Sequence, residues 1–286
     1  MSEIGERGDT AVSSSTSAPA GRRTLGFRVL PELGGSSWRV VERNFLVYRH
    51  GWFVFLSGML EPILYLLSIG IGVGGLVGDF RLGDGRAVSY VEFVAPAMLA
   101  ASAMNGALFD ATYNIFFRMK YAKLYDAMLA TPLTPYNVAR GEITWALLRG
   151  AAYSAVFIVV MVAMGLVRSW WMLLALPATL LIGFGFAGAG MALTTWMRSW
   201  QDFEFVQLAI MPMFLFSATF YPLATYPDGV EEFVRWTPLY QGVVLTRGMA
   251  LGTMGWESLT ATLYLAAMGL VGVYVASRRL GILLLK

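Results

Sequence analysis

Six apolar stretches, at about residues 52–77, 90–113, 142–167, 171–196, 203–221 and 256–276, alternate with short polar breaks along the chain. A helix crossing the hydrocarbon of a bilayer needs roughly 20 predominantly apolar residues, so the pattern predicts an all-α membrane protein with six transmembrane helices. Two further stretches are apolar on one side only. Between Ser36 and His50, Trp38, Val41, Phe45 and Tyr48 recur at helical spacing, and Arg39, Glu42, Arg43 and Arg49 fill the other side. A helix of that kind suits the headgroup layer. Packing on a soluble partner is the other reading, and both place the helix at the cytoplasmic surface. The second stretch runs from Asn114 to Gly141 as NIFFRMKYAKLYDAMLATPLTPYNVARG. It reads as a helix through Leu129 that Pro132 and Pro135 bring to an end.

Residues 1–37 stand apart, with a Ser/Thr run at Ser13 to Ser17 and little apolar surface. Such a segment cannot bury enough surface to offset the entropy of folding, and is expected to be a disordered cytoplasmic tail ahead of a membrane domain at 38–286.

Composition agrees: 57% of residues are apolar, 14% are charged and the mean hydropathy is +0.61. Soluble domains carry about 25% charged residues. The net charge of +3 matters less than where the Lys and Arg residues lie. With the tail in the cytoplasm, the outer segments hold Arg81, Arg86, Arg168, Arg235 and Arg247, leaving 16 of 21 basic residues inside. That bias is the positive-inside pattern, and it places both termini in the cytoplasm. Trp170, Trp171, Trp196, Trp200, Trp236 and Trp256 fall near segment ends, where interfacial anchors belong. Glycines cluster at 70–78 and 183–190, as close helix packing in lipid requires. Pro62, Pro96, Pro177 and Pro212 lie within segments as sites of bending.

Catalytic chemistry finds little support in these residues. Cysteine is absent, His50 is the sole histidine, and the only lysines are Lys120, Lys123 and Lys286, so the chain has no phosphate-binding Gly-x-x-x-x-Gly-Lys-Ser/Thr loop and no Cys/His metal set. The reading is a non-enzyme with no catalytic residue, no metal and no cofactor of its own, and no nucleic-acid partner. Glu61, followed by Pro62 about ten residues into the first segment, is the deepest charge. It either pairs with a neighbouring helix or lines a polar path. Asp110 and Glu142 sit nearer the cytoplasmic ends and are read as snorkelling or packing close to the interface. Asp202 and Glu204 occupy a short polar turn.

Four segments carry a family resemblance: LEPILYLLSIGIGVG (60–74), YAKLYDAMLATPLT (121–134), FSATFYPLATYP (216–227) and WTPLYQGVVLTRGMALG (236–252). Over roughly residues 38–280 the chain resembles the membrane subunits of type-2 ABC exporters, most closely the nodulation protein J branch linked to lipo-oligosaccharide export. The resemblance implies that Trp38, Val41, Phe45 and Tyr48 belong to a connecting helix. It makes Lys123 to Thr131 a coupling helix that docks on a separate ATPase. The coupling set is Lys123, Leu124, Tyr125, Asp126, Met128, Leu129, Thr131 and Pro132, with Tyr125 and Leu129 as the expected docking anchors. Glu61, where family members often carry Asp, joins Phe214, Phe216 and Tyr221 as candidates for the translocation path. Tyr221 to Trp256 would contain re-entrant helices before the last span, with Phe233, Trp236, Leu239 and Tyr240 forming their membrane-facing surface.

The partners implied are two copies of a soluble ABC ATPase that binds the ATP and Mg, a second permease subunit, identical or related, and membrane lipid. The activity implied is outward movement of a lipid-like, glycolipid or hydrophobic drug cargo by alternating access across a bacterial plasma membrane. A membrane-embedded transferase or receptor with no ATPase partner shares the composition and topology, but would be expected to cluster Asp, Glu, His or Arg at one membrane face.

Overall fold

The computed structural model describes residues 35–48, 52–81 and 85–284. The proposed tail therefore lies outside the described residues up to 34, as do His50 and Lys286, while Gly35–Ser37 already belong to the first helix.

Helices account for most of the chain. α1 (Gly35–Tyr48) is followed by α2 (Trp52–Gly72) and a one-turn α3 (Gly74–Val77). A small antiparallel hairpin, β1 (Asp79–Arg81) and β2 (Ala87–Ser89), pairs Phe80 with Val88. α4 (Tyr90–Phe109) begins with a capping box: Ser89 N–H donates to Glu92 Oε2 at 2.8 Å and Glu92 N–H to Ser89 Oγ at 3.3 Å. α4 passes through a single π turn at Asp110–Asn114 into α5 (Ile115–Lys120), making one helical run of 31 residues. α6 (Leu124–Leu129) and α7 (Pro135–Ala163) follow. A 3-10 turn at Trp170–Leu174 then leads into α8 (Ala175–Thr194). The remainder is α9 (Phe203–Leu215), α10 (Asp228–Arg235), α11 (Pro238–Leu251) and α12 (Trp256–Leu284).

Four of these runs, Tyr90–Lys120, Pro135–Ala163, Trp170–Thr194 and Trp256–Leu283, are long and apolar enough to cross a membrane. α2 has 21 residues, the length of one crossing. The expected segment 203–221 differs: its helix stops at Leu215 after 13 residues, a rise of about 20 Å. Pro212 withholds one amide from the helix, Phe216 N–H closes on Pro212 O at 2.8 Å, and Ala218 adopts a positive φ of 51°. Ser217, Ala218 and Thr219 then run buried into the loop before α10.

α8 lies centrally, against α4, α7, α11 and α12. Glycine makes its closest approach possible: a Cβ on Gly188 would sit 2.6 Å from Gly269 O, and one on Gly272 would sit 2.3 Å from the Gly188 carbonyl carbon. Opposite α6, the far end of the bundle is stitched by arginines. Arg168 grips Glu92 at 2.7 and 2.8 Å and donates to Ala87 O, and Arg86 donates to Leu251 O at 3.1 Å. The chain between α10 and α11 reaches well below that end. Tyr264, eight residues or about 12 Å along α12, donates its hydroxyl to Trp236 O at 3.1 Å.

Candidate coupling site

α6 is a six-residue helix set between two long ones, and each of its boundaries has a local cause. Lys123 precedes it in the left-handed region (φ 45°), which turns the chain sharply after α5. Thr134 caps α7, accepting from Asn137 N–H at 3.2 Å, and Pro135 occupies the first helical turn, where its missing amide costs nothing. The hairpin therefore ends where Pro132 and Pro135 predict.

Its rotation is not the expected one. Tyr125, expected as an outward anchor for a partner, is 0% exposed and faces the bundle. Met128 packs partly buried against the core and Leu124 is half-buried. Lys123, Asp126, Thr131 and Pro132 make the exposed side, while the Leu129 side chain lies outside the described residues. Thr131 Oγ1 donates to Met128 O at 2.5 Å and closes the end of the helix. A separate protein can touch only the exposed set, so Tyr125 is corrected from docking anchor to internal key.

Tyr125 keys into a buried polar cluster. Glu142, near the start of α7, has a side chain 2% exposed and pairs with Arg43 of α1 at 3.3 Å and with Arg118 of α5. Asn44 of α1 donates to its other oxygen, Oε2, at 3.0 Å, and also accepts from Arg43. The Tyr125 hydroxyl lies beside this group without a hydrogen bond of good geometry, and burial pushes the phenol well above its ordinary range, with Glu142 adding to the effect. Burial also draws the Arg43 guanidinium down, a tendency that Glu142 opposes. Four elements, α1, α5, α6 and α7, thus converge on one carboxylate. Glu142 is a shared internal counter-ion and does not snorkel.

Asp110, like Glu142, takes the packing alternative of the two readings. It is buried in the π turn, paired with Arg149 of α7 and contacted by Asn114. Within that turn Ala111 O accepts from Thr194 Oγ1 of α8 at 3.0 Å. The cluster is therefore continuous with the centre of the bundle.

α1 docks on α7 through a glycine. A Cβ on Gly141 would meet Val40 Cβ at 2.6 Å and Ser37 O at 2.9 Å, so only glycine permits this approach. Val40, Val41 and Asn44 face inward, whereas Trp38 (60% exposed) and Phe45 (61%) face outward. Val41 therefore leaves the face it was expected to share with them. The Tyr48 side chain is outside the described residues.

The other candidates lie away from α6. Phe214 packs partly buried against Phe220 with ring centroids 5.3 Å apart. Phe216 and Tyr221 are exposed and both contact the Tyr226 ring, at 6.2 and 5.1 Å. Phe233 and Trp236 are exposed, but Leu239, expected beside them on the membrane-facing side, is fully buried and Tyr240 is half-buried. Glu61 lies in α2, with a side chain outside the described residues. Among the described residues no cluster of His, Cys, Asp or Glu has the makings of a metal site.

Residues that sequence reading passed over include Arg43, Asn44, Arg118 and Arg149. The available signal was their recurrence around two acids otherwise out of place next to apolar segments.

The sequence also has known relatives. Residues 36–251 match the family model described as ABC-2 type transporter. Nodulation protein J of Rhizobium leguminosarum bv. viciae is 33% identical, covering 80% of this chain and 87% of that protein. The protein of the same name from Rhizobium leguminosarum bv. trifolii is 36% identical over 77% and 83%. The inner membrane transport permease YadH of Escherichia coli K12 is 22% identical over 71% and 77%.

Proposed function

The chain belongs to the ABC-2 type transporter family, whose members are permease subunits, and from that premise we propose that it exports a lipid-like or glycolipid cargo, driven by a separate ATPase. The observation that carries the reading is the α6 hairpin, a short exposed handle whose inner side chain, Tyr125, enters the cluster that binds α1, α5 and α7. A push on Asp126, Thr131 or Pro132 from an ATPase is then delivered to α1, α5 and α7 at once. Close-packed interiors pass such displacements on instead of absorbing them.

In this reading the bundle has six crossings: the four long runs, α2, and α9 continued by the buried loop to Tyr221. The α10–α11 pair is re-entrant from the outer face, a reading supported by the depth at which Trp236 meets Tyr264. The α6 end and both termini face the cytoplasm of a bacterium, in line with the charge bias. Two such permeases work with two ATPase subunits by alternating access, and the ATPases bind ATP and Mg. The cargo proposed is a lipo-oligosaccharide or similar glycolipid ahead of a hydrophobic drug, on the resemblance to the nodulation protein J branch.

The test is co-purification with candidate P-loop ATPases, followed by reconstitution in proteoliposomes. ATP-dependent movement of a fluorescent lipo-oligosaccharide, with ATP hydrolysis stimulated by it, is expected. Transport of a hydrophobic dye alone would reassign the cargo, and failure to bind any ABC ATPase would overturn the reading.

A further inference from the structure

At the far end of the bundle, Arg247 of α11 is held by backbone carbonyls and an aromatic ring. Its Nε donates to Phe93 O at 3.2 Å, one NH2 donates to Ala218 O at 2.8 Å, and the guanidinium carbon lies 3.8 Å over the Phe93 ring centroid. Those are neutral partners. Among the described residues no acid forms an ion pair with it, whereas Arg168 pairs with Glu92 and Arg235 with Glu231. A charge held in an apolar surround without a counter-ion is costly, and inside a membrane it marks a site whose partner is to be named.

Depth narrows the partner. Phe93 is the fourth residue of α4, and Arg247 precedes the end of α11 by about one helical turn. The exposed Trp170 and Trp256 sit at the same end, as side chains at the headgroup level do. Arg247 therefore lies close to the depth of lipid phosphates. As a whole residue Arg247 is partly exposed. The loop it holds offers a second polar group: Thr219, next to Ala218, is fully buried, and its hydroxyl has no hydrogen-bond partner. The Tyr221 and Tyr226 rings meet along the same loop, with centroids 5.1 Å apart.

We propose that Arg247 is the cationic half of a binding site for a phosphate-type anion on the headgroup of an amphiphile, at the far end of the bundle, with the 217–221 loop as its wall. Arginine suits the task because its fork continues to bind Ala218 and Phe93 through two nitrogens while the third takes the anion. The inference does not rest on the coupling reading, since binding is measured on the chain without an ATPase.

The experiment uses the full chain purified in detergent and titrated separately with dioleoyl phosphatidylglycerol, dioleoyl phosphatidylcholine and inorganic phosphate, following Tm and tryptophan fluorescence. Phosphatidylglycerol is expected to stabilise the chain and phosphatidylcholine is not. Arg247→Gln should weaken the phosphatidylglycerol response roughly tenfold or more, the loss of a charged hydrogen bond, with Arg247→Lys in between. An equal response to inorganic phosphate would support the same site with a free anion as its ligand. Wild-type phosphatidylglycerol affinity in Arg247→Gln would overturn the proposal. So would altered dimer dissociation with unchanged lipid binding, which places the counter-charge in a second copy. Should Arg247→Gln fail to fold, a photoactivatable phosphatidylglycerol on the wild-type chain decides the matter. Cross-links in 216–222 or 238–251 are expected, and cross-links confined to the basic residues at the α6 end would overturn the site.

Discussion

Asn44 Nδ2 lies 3.0 Å from Glu142 Oε2, joining two residues 98 apart in the chain and fastening α1 to the first turns of α7. The bond is buried, and the same carboxylate also answers Arg43 and Arg118. Removing that one acid therefore leaves several donors unmatched.

Glu142→Gln should lower stability by about 3–5 kcal/mol, the range for breaking a buried charge pair from one side. Arg43 and Arg118 would then repel each other across a neutral amide. The check is Tm in detergent for the single variant and for Glu142→Gln combined with Arg118→Gln, where part of the loss should return. Equal losses in both would contradict the shared counter-ion.

Gly141→Ala should push α1 off α7, because the new methyl meets Val40 Cβ at 2.6 Å and the Ser37 carbonyl at 2.9 Å. Overpacking of this kind costs about 1–3 kcal/mol. Hydrogen exchange is expected to quicken across Ser37–Asn44 while α8 and α12 keep their protection.

Two variants separate the inner and outer sides of α6. Tyr125→Ala should destabilise by roughly 3–5 kcal/mol, as loss of a large buried ring does, whereas Tyr125→Phe should be nearly neutral because the hydroxyl lacks a well-formed hydrogen bond. Asp126→Arg, on the exposed side, should leave Tm unchanged and weaken binding to the ATPase in pull-down and hydrolysis assays. An Asp126→Arg chain that binds its ATPase normally would remove that side of α6 from the interface.

Glu61→Gln separates the two roles open to the carboxyl in α2. Reduced transport with normal assembly and ATP hydrolysis is expected if it lines a polar path, and loss of folded protein if it is a structural pair. Transport rate and size-exclusion profile, measured on the same preparation, distinguish them.

Much of this protein's architecture follows from its sequence. Long apolar runs must become helices in a bilayer, since only internal hydrogen bonding satisfies the backbone there, so the limits of α8 and the start of α12 follow from composition. Pro132 and Pro135 mark the end of the α6 hairpin because a ring cannot continue a helix. The 203–221 stretch is helical only as far as Leu215, because hydropathy measures transfer to lipid and not helix continuity: the chain leaves the helix before Ala218, which takes a positive φ.

The inward turn of Tyr125 and the role of Glu142 were decided by tertiary structure alone. Periodicity states which residues of a helix share a face, but not which way that face points. The left-handed Lys123 and the packing of α5, α6 and α7 set the rotation of so short a helix. Likewise, an acid beside an apolar segment looks the same in one dimension whether it snorkels or is buried with partners. Arg43 and Asn44 reach Glu142 only once Gly141 lets α1 lie against α7, and that close contact between distant stretches turns one carboxylate into the joint of four helices.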